Sequence, residues 1–164
     1  MSERELTDNN EAKAIKQEEV QLILFSLANS LYGIPIEKVS EINRLEDITP
    51  LPKAPQFIEG VINLRGNVVP VIDLRKRFGM EQVERTNKNK IIILLINKRL
   101  FGIIVDSVHE VLTLAGENIE PSLPTASGLK ADFINSIGRY QDKLIIILEI
   151  SRIISSSEDI KVVE

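Results

Sequence analysis

The same β-strand pattern occurs twice in this chain at one constant offset. Residues Leu22 to Ile42 match residues Ile91 to Val111, so that an aromatic residue, a glycine, an apolar run and acidic residues recur in the same order. In each copy a first apolar run reaches the glycine through a short polar turn, at 28–30 or 97–99, which predicts a β-hairpin. The chain is therefore expected to contain one β unit twice.

A looser repeat follows each copy. The segment 68–74 resembles the segment 144–150, and in both an apolar strand runs into an acidic residue that suits the start of a helix. We expect short helices over 73–78 and 149–154. The segment 36–42 is ambiguous, because its apolar spacing fits one or two helical turns as well as a strand.

Length and composition favour one compact β-rich unit. The chain has 164 residues, of which 43% are apolar and only 4% aromatic. Ile, Leu and Val dominate the apolar set, as is typical of β proteins. Half of a chain of this length is marginal as a separate core. The two copies are therefore expected to share a core.

The usual parts of a catalytic site are scarce. The chain has no cysteine, and its single histidine, His109, matches Ser40 in the first copy. A disulfide framework, a thiolate metal site and a two-histidine metal site are therefore excluded. The eight glycines form neither a phosphate-binding loop nor a dinucleotide-binding motif. We expect no enzyme activity, no metal and no cofactor.

Charge and hydropathy limit which partners the protein is expected to bind and where in the cell it is expected to lie. A formal net charge of −4 leaves no basis for the basic surface that nucleic-acid binding needs. Residues 1–18 carry a mixture of charges with no periodic apolar face apart from 12–15, and they lack the apolar core of a signal peptide. No later apolar run approaches a membrane-spanning length. We expect a cytoplasmic protein with a flexible N-terminal arm (1–18) and a C-terminal tail (156–164).

Two residues in the segment 57–67 stand out. Gly60 precedes an apolar strand, where it either ends a helix or lets a partner backbone approach closely. Arg65 lies in a tight turn inside an otherwise apolar stretch. It either forms a surface salt bridge or anchors an interface, a role for which arginine is enriched.

The longest motif, Phe57–Leu74, resembles the CheW family of coupling proteins in bacterial chemotaxis. The segments Tyr32–Ile42, Ile48–Pro52 and Phe101–Val108 fit the same family in the same order. The resemblance covers roughly 19–155, which is nearly the whole chain.

This resemblance implies a mainly β fold of two intertwined five-stranded SH3-like β-barrels that share a hydrophobic seam, with short helices. The first barrel would span about 19–80 and the second about 88–155, with ends that can be exchanged between the barrels.

The resemblance also implies a non-catalytic adaptor. Proteins of the family bind the regulatory domain of the histidine kinase CheA and the cytoplasmic tip of methyl-accepting chemoreceptors, and thereby place the kinase under receptor control. The free protein would be monomeric and would be recruited to receptor arrays at the membrane without inserting into it. The residues at matching family positions are Val39, Glu41 and Gly60 for the kinase, and Arg65, Ile34, Ile36, Val105 and Val108 for the receptor.

Three rival functions remain open at this level. A scaffold of a non-flagellar chemosensory pathway would show the same residues. A small β-barrel enzyme with an unrecognised site would need a pocket with strongly shifted carboxylates. A small-barrel RNA-binding module would need a basic face, which the acidic composition opposes.

Overall fold

The computed structural model describes residues 18–121 and 131–154. Within these ranges the chain forms eleven β-strands and two short α-helices. In chain order the strands are β1 (Glu19–Leu27), β2 (Ser30–Pro35), β3 (Val39–Arg44), β4 (Ile58–Leu64), β5 (Asn67–Asp73), β6 (Lys90–Ile96), β7 (Arg99–Val105), β8 (Ser107–Ala115), β9 (Ile119–Pro121), β10 (Ile134–Tyr140) and β11 (Lys143–Leu148). The helices are α1 (Leu74–Arg77), after β5, and α2 (Ile150–Ile153), after β11. The predicted arm, apart from Glu18, and the predicted tail lie outside the described residues.

The strands form two sheets that exchange a hairpin. One sheet has six strands in the order β8-β1-β2-β11-β10-β9, and the other has five in the order β3-β6-β7-β5-β4. The β1–β2 hairpin of the first copy thus lies among strands of the second copy, and the β6–β7 hairpin lies among strands of the first. Each hairpin is hydrogen-bonded to a strand of the other copy by parallel pairing: β2 pairs with β11, and β7 pairs with β5. Each sheet therefore contains strands from both copies.

The sequence repeat is also a structural repeat. Strands β1 to β3 correspond to β6 to β8 at the offset of 69 residues that relates Leu22 to Ile91. The elements β4, β5 and α1 correspond to β10, β11 and α2 at an offset of 76 residues. The pairing of β9 with β10 matches the isolated bridge between Thr49 and Val61 of β4. The predicted mainly β fold with SH3-like barrels is confirmed, and the short strand β9 gives one sheet six strands.

The buried core has three parts. One cluster of seven buried residues fills the inside of the five-stranded sheet, and one of six fills the inside of the other. The largest cluster has 21 buried residues and lies between the sheets, and we call it the seam.

Strand β6 shows how the seam forms. Ile91 and Ile93 belong to the cluster inside the five-stranded sheet, whereas Ile92 and Leu94 belong to the seam. Both faces of the strand are therefore buried over 91–94. This explains why 91–94 is a continuous apolar run instead of an alternating one, whereas Leu95, the next residue, is 50% exposed.

The predicted short helices are present. Asp73 caps α1, because its Oδ1 accepts a hydrogen bond of 3.2 Å from the backbone N–H of Lys76. The equivalent helix α2 follows Glu149. The ambiguous segment 36–42 contains both alternatives, since a 3₁₀ turn over Ile36–Lys38 leads directly into β3.

Asp106, between β7 and β8, ties the two sheets together. Its carboxylate accepts hydrogen bonds from the Arg75 guanidinium (2.7 and 3.0 Å) and from the backbone N–H of Ala28 (2.8 Å). Burial acts to raise the pKa of Asp106, but the hydrogen bonds from Arg75 and Ala28 and the charge of Arg75 outweigh it and lower the pKa. One carboxylate thus fastens the β1–β2 turn to the helix that follows β5.

Gly60 lies within β4, at the point where the chain around Thr49 crosses it. The backbone N–H of Thr49 donates to the carbonyl of Val61 (2.9 Å), and the N–H of Val61 donates to the carbonyl of Thr49 (2.8 Å). The φ angle of Gly60 is 150°, and a Cβ there would lie 2.1 Å from the Thr49 carbonyl oxygen. A helix end at Gly60 is therefore wrong, and the backbone that approaches it closely belongs to the same chain.

We expect the Asp106→Asn variant to lose about 2 kcal/mol of unfolding free energy at pH 7, because a charged hydrogen-bonded group is removed. The folded-state pKa of Asp106 is lowered, so its contribution is present above the unfolded-state pKa and is lost as the pH falls through the folded-state pKa. Denaturant unfolding from pH 7 down to pH 3 measures this. The difference between variant and wild type should shrink towards acid, and a constant difference would contradict the assignment. The exposed loop variant Asp47→Asn is the control.

We expect Gly60→Ala to lower the unfolding free energy by about 3 kcal/mol or more, since it adds a backbone clash to a strained φ angle. Gly66→Ala is the matched control, because Gly66 also has a positive φ (90°), but a Cβ at that position would have no atom within 4 Å. That variant should cost only about 1 to 2 kcal/mol. Equal losses in chemical denaturation would show that the Thr49 crossing is not what selects glycine.

Candidate functional site

Arg65 lies at the tip of the β4–β5 hairpin. The turn residues Arg65 and Gly66 have φ angles of 50° and 90°, as in the I′ turns that suit twisted hairpins. The side-chain oxygen of Asn63 accepts a hydrogen bond of 2.9 Å from the N–H of Gly66. The turn holds the Arg65 side chain at the surface, with 70% of it exposed.

Arg65 forms an ion pair with Glu41 of β3. Both carboxylate oxygens of Glu41 accept hydrogen bonds from the guanidinium, which is the bidentate arrangement. The hydrogen bond from Arg65 lowers the pKa of Glu41, and the same bond raises the pKa of Arg65. Because β3 and β4 are the opposite edges of the five-stranded sheet, the pair joins the two edges of a sheet that curls on itself.

Among the described residues, strand β3 pairs with β6 on one side and has no paired strand on the other, which leaves an open edge beside this ion pair. The apolar side chain of Ile42, next to Glu41, is 36% exposed, and Val39 is half-buried against the seam. An open strand edge with an apolar side chain suits pairing with another protein.

Gly60 lies on β4, away from Arg65 in the turn that follows this strand. The two residues are five positions apart, which is about 16 Å along a β-strand. Gly60 is buried and is required by the Thr49 crossing. It therefore shapes the edge of the five-stranded sheet and offers no side chain to a partner.

The other four residues predicted to bind the receptor differ in burial. Ile34 and Val105 are fully buried in the seam. Ile36 and Val108 are half-buried and pack against the seam from its surface. A partner can touch Ile36 and Val108 directly, but it reaches the buried pair only if the seam opens. Val108 is also the repeat equivalent of Val39, so the seam brings the predicted kinase and receptor residues onto one apolar cluster.

Sequence reasoning missed a set of exposed apolar side chains. Six large apolar side chains are exposed among the described residues, and four of them form two repeat-equivalent pairs, Ile42 with Val111 on the outer strands β3 and β8, and Val68 with Leu144 at the starts of β5 and β11. Their exposed fractions run from 36% to 58%. The repeat contained the signal, because an apolar residue recurs at each matching position.

The described residues include groups suited to binding a partner, whereas groups suited to catalysis are scarce among them. In the ranges 18–121 and 131–154, no group of three or more His, Cys, Asp or Glu side chains is placed to hold a metal ion. His109 is exposed, and its Nε2 lies 2.9 Å from the Ser26 hydroxyl oxygen. None of the helices in the described part of the chain has the length and apolar character to cross a bilayer. The bidentate ion pair and the open edge of β3 are thus the features best suited to bind a partner.

Known proteins with similar sequences were found. The chemotaxis protein CheW of Klebsiella aerogenes is 37% identical over 138 residues, which cover 84% of this chain and 83% of the relative. The chemotaxis protein CheW of Treponema pallidum is 32% identical over 149 residues, which cover 88% of each chain.

A solved structure is also similar. The crystal structure of the scaffolding protein TtCheW from Thermoanaerobacter tengcongensis matches with a TM-score of 0.76 and 42% sequence identity, over 79% of this chain and 88% of that one. Residues 21–158 match the family model of the CheW-like domain. The hairpin exchange, the shared seam and these matches together show that the chain belongs to the CheW family.

Proposed function

We propose that this protein is a non-catalytic adaptor that couples chemoreceptor signalling tips to the histidine kinase CheA in bacterial chemotaxis. The names of its relatives support a role in chemotaxis, and the similar solved structure is that of a scaffolding protein. One observation supports the proposed coupling between receptor binding and kinase binding. The residue at a receptor-associated family position, Arg65, is ion-paired with the residue at a kinase-associated position, Glu41.

The ion pair supplies a physical route between the two partners. A receptor carboxylate that binds Arg65 competes with Glu41 for the same guanidinium. Release of Glu41 changes the charge presented by β3, which is the strand that we assign to the kinase. Such a coupling is reciprocal and is typically worth about 1 to 3 kcal/mol. Receptor binding thus alters kinase affinity without any bond chemistry.

The exposed residues among the predicted sites define one surface for the kinase and one for the receptor. The kinase surface is the open edge of β3 with Val39, Glu41 and Ile42. Gly60, on the opposite edge strand β4, contributes indirectly by allowing Thr49, in the segment that follows β3, to pair with β4. The receptor surface consists of Arg65 and the exposed margin of the seam at Ile36 and Val108. The buried residues Ile34 and Val105 pack beneath that margin and hold its shape.

The adaptor acts in the cytoplasm, is monomeric when free, and reaches membrane-associated receptor arrays through the receptor tips. Its role requires no cofactor and no catalytic step. A chemosensory pathway with a non-flagellar output would use the same surfaces and remains the alternative.

We expect Ile42→Lys to weaken binding to the regulatory domain of CheA about tenfold, because it places a charge on the apolar edge that the kinase covers. Calorimetric titration of the purified domain with the full chain measures this. Leu144→Lys is the matched control, since it makes the same kind of change at an apolar side chain that is 58% exposed on the other sheet. No binding by a folded wild-type chain would refute the adaptor proposal, and equal weakening by both variants would refute the assigned surface.

We expect Arg65→Ala to weaken receptor binding about tenfold and to abolish the effect of receptor on CheA affinity, because the group shared by both partners is gone. Titration with a receptor tip fragment, with and without CheA, measures both effects. Unfolding should stay cooperative, since the side chain is 70% exposed at a turn.

Arg139→Ala is the control for this variant. Arg139 is also an exposed arginine paired with a glutamate, Glu120, but it lies on the six-stranded sheet. Its removal should leave receptor binding and coupling intact. Loss of cooperative unfolding in Arg65→Ala, or equal effects of the two variants, would contradict the role given to Arg65.

A further inference from the structure

One end of the five-stranded sheet contains two neighbouring hairpin turns. Strands β5 and β7 pair in parallel through Val71 and Gly102, so both strands begin at this end. The last residues of β6 pair with the first residues of β7, and the first residue of β3 pairs near the end of β6. Arg65 of the β4–β5 turn and residues 97–99 of the β6–β7 turn therefore lie at the same end of the sheet. We call it the tip end.

An apolar side chain is exposed at the tip end. Leu95 of β6 is 50% exposed, whereas Ile91 and Ile93 are fully buried inside the sheet. Because alternate residues of a strand share a face, Leu95 continues the inner face of β6 to the end of the sheet. Its partner Leu100 is half-buried and packs against the same inner cluster. The tip end thus has an apolar opening at Leu95 and Leu100.

Cations surround this opening. Lys38 precedes β3 and lies opposite Leu95 in the register of β3 with β6. Lys98 and Arg99 are exposed in and after the β6–β7 turn, and Arg65 is exposed in the neighbouring turn. In the part of the chain that the structure describes, neither Lys38 nor Lys98 forms an ion pair. Their charges are therefore available to a partner.

Two glutamates near the tip end leave these charges in place. Glu41 is paired with Arg65. Glu37, in the same 3₁₀ turn as Lys38, lines the cavity where β1 begins. The chain as a whole has a formal net charge of −4. The positive charge at the tip end is thus a local feature that runs against the charge of the molecule.

The equivalent end of the six-stranded sheet is built differently. Ser26 stands at the position that matches Leu95, and its hydroxyl oxygen lies 2.8 Å from that of Ser107 and 2.9 Å from Nε2 of His109. The positions that match the four cations all carry uncharged residues, namely Ser107, Gln141, Asn29 and Ser30. The same backbone therefore forms without an exposed leucine or cations at this end. A requirement of the fold does not explain them, and binding to a partner does.

We propose that the tip end of the five-stranded sheet docks an acidic segment of the receptor signalling tip. An apolar side chain of that segment packs over Leu95 and Leu100. Its carboxylates bind Arg65 and Lys98, so burial of apolar surface supplies affinity and the cations select an acidic partner. This inference rests on the proposed function, in which Arg65 binds the receptor. The surface continues to the seam margin at Ile36, because the 3₁₀ turn that carries Ile36 packs against β6.

The two cations that face the segment have different roles. A carboxylate that binds Arg65 must displace Glu41, whereas Lys98 has no ion pair to break among the described residues. Lys98 therefore contributes to affinity alone, and Arg65 also transmits the binding event to β3. Loss of Lys98 should weaken receptor binding and leave its effect on CheA affinity in place.

A serine at position 95 tests the apolar contact. Leu95→Ser gives the tip end the residue of the equivalent position, and it should weaken binding of a receptor tip fragment about tenfold because an apolar contact is lost. Unfolding should stay cooperative and affinity for the CheA regulatory domain unchanged, since the side chain is exposed. Calorimetric titration measures both affinities. Leu144→Ser is the matched control, because it makes the same change at a side chain that is 58% exposed on the other sheet.

The outcomes separate this inference from the adaptor proposal. Receptor binding by the wild type that Leu95→Ser leaves unchanged would overturn the docking at the tip end alone. Equal weakening by Leu144→Ser would also overturn it. Absence of receptor binding by the folded wild-type chain would overturn both proposals.

Charge reversal tests the selection of an acidic segment. Lys98→Glu should weaken binding of the same fragment about tenfold at low salt, and the loss should shrink as salt is added, because exposed charges are screened. The loss in Leu95→Ser should persist at high salt. Lys143→Glu makes the same change in net charge at an exposed residue of the β10–β11 hairpin and should leave binding unchanged. Equal effects of the two lysine variants would overturn the proposal.

Discussion

The apolar seam between the two sheets is the interaction on which the rest of the structure depends. It is larger than the cluster inside either sheet. Each copy of the repeat contributes a hairpin to the other's sheet, so neither sheet is complete without residues from both copies. Burying the seam stabilises the fold because a fully buried Leu, Ile or Phe side chain contributes about 1.5 to 3 kcal/mol. This explains how a chain of two small β units forms one cooperative core.

The seam also fixes where partners can act. Strands buried on both faces leave mainly sheet edges, hairpin tips and the margin of the seam at the surface. The edge strand β3 and the β4–β5 tip are such places, and the ion pair between Glu41 and Arg65 connects them. In the adaptor that we propose, a partner that binds at the tip changes the charge presented at the edge through this bidentate contact.

The two repeat-equivalent sheets differ in the charged residues that they present. The positions that match Glu41 and Arg65 in the second copy are Glu110 and Gln141, so the same ion pair cannot form there. The two sheets keep equivalent backbones but present different charges at equivalent ends. A molecule built in this way can offer distinct surfaces to distinct partners from one repeated unit.

The sequence alone determined the local elements: the hairpins, the helix begun at Asp73, and the existence of two copies. These depend on alternation, turn residues and caps, which act over a few residues. The family motif also selected Arg65 as a candidate. Only the tertiary structure decided which strands pair across the copies, that Ile34 and Val105 are buried, and that Thr49 crosses Gly60. Residues far apart in the chain meet there, and an apolar residue looks the same in sequence whether it faces the seam, a barrel interior or solvent.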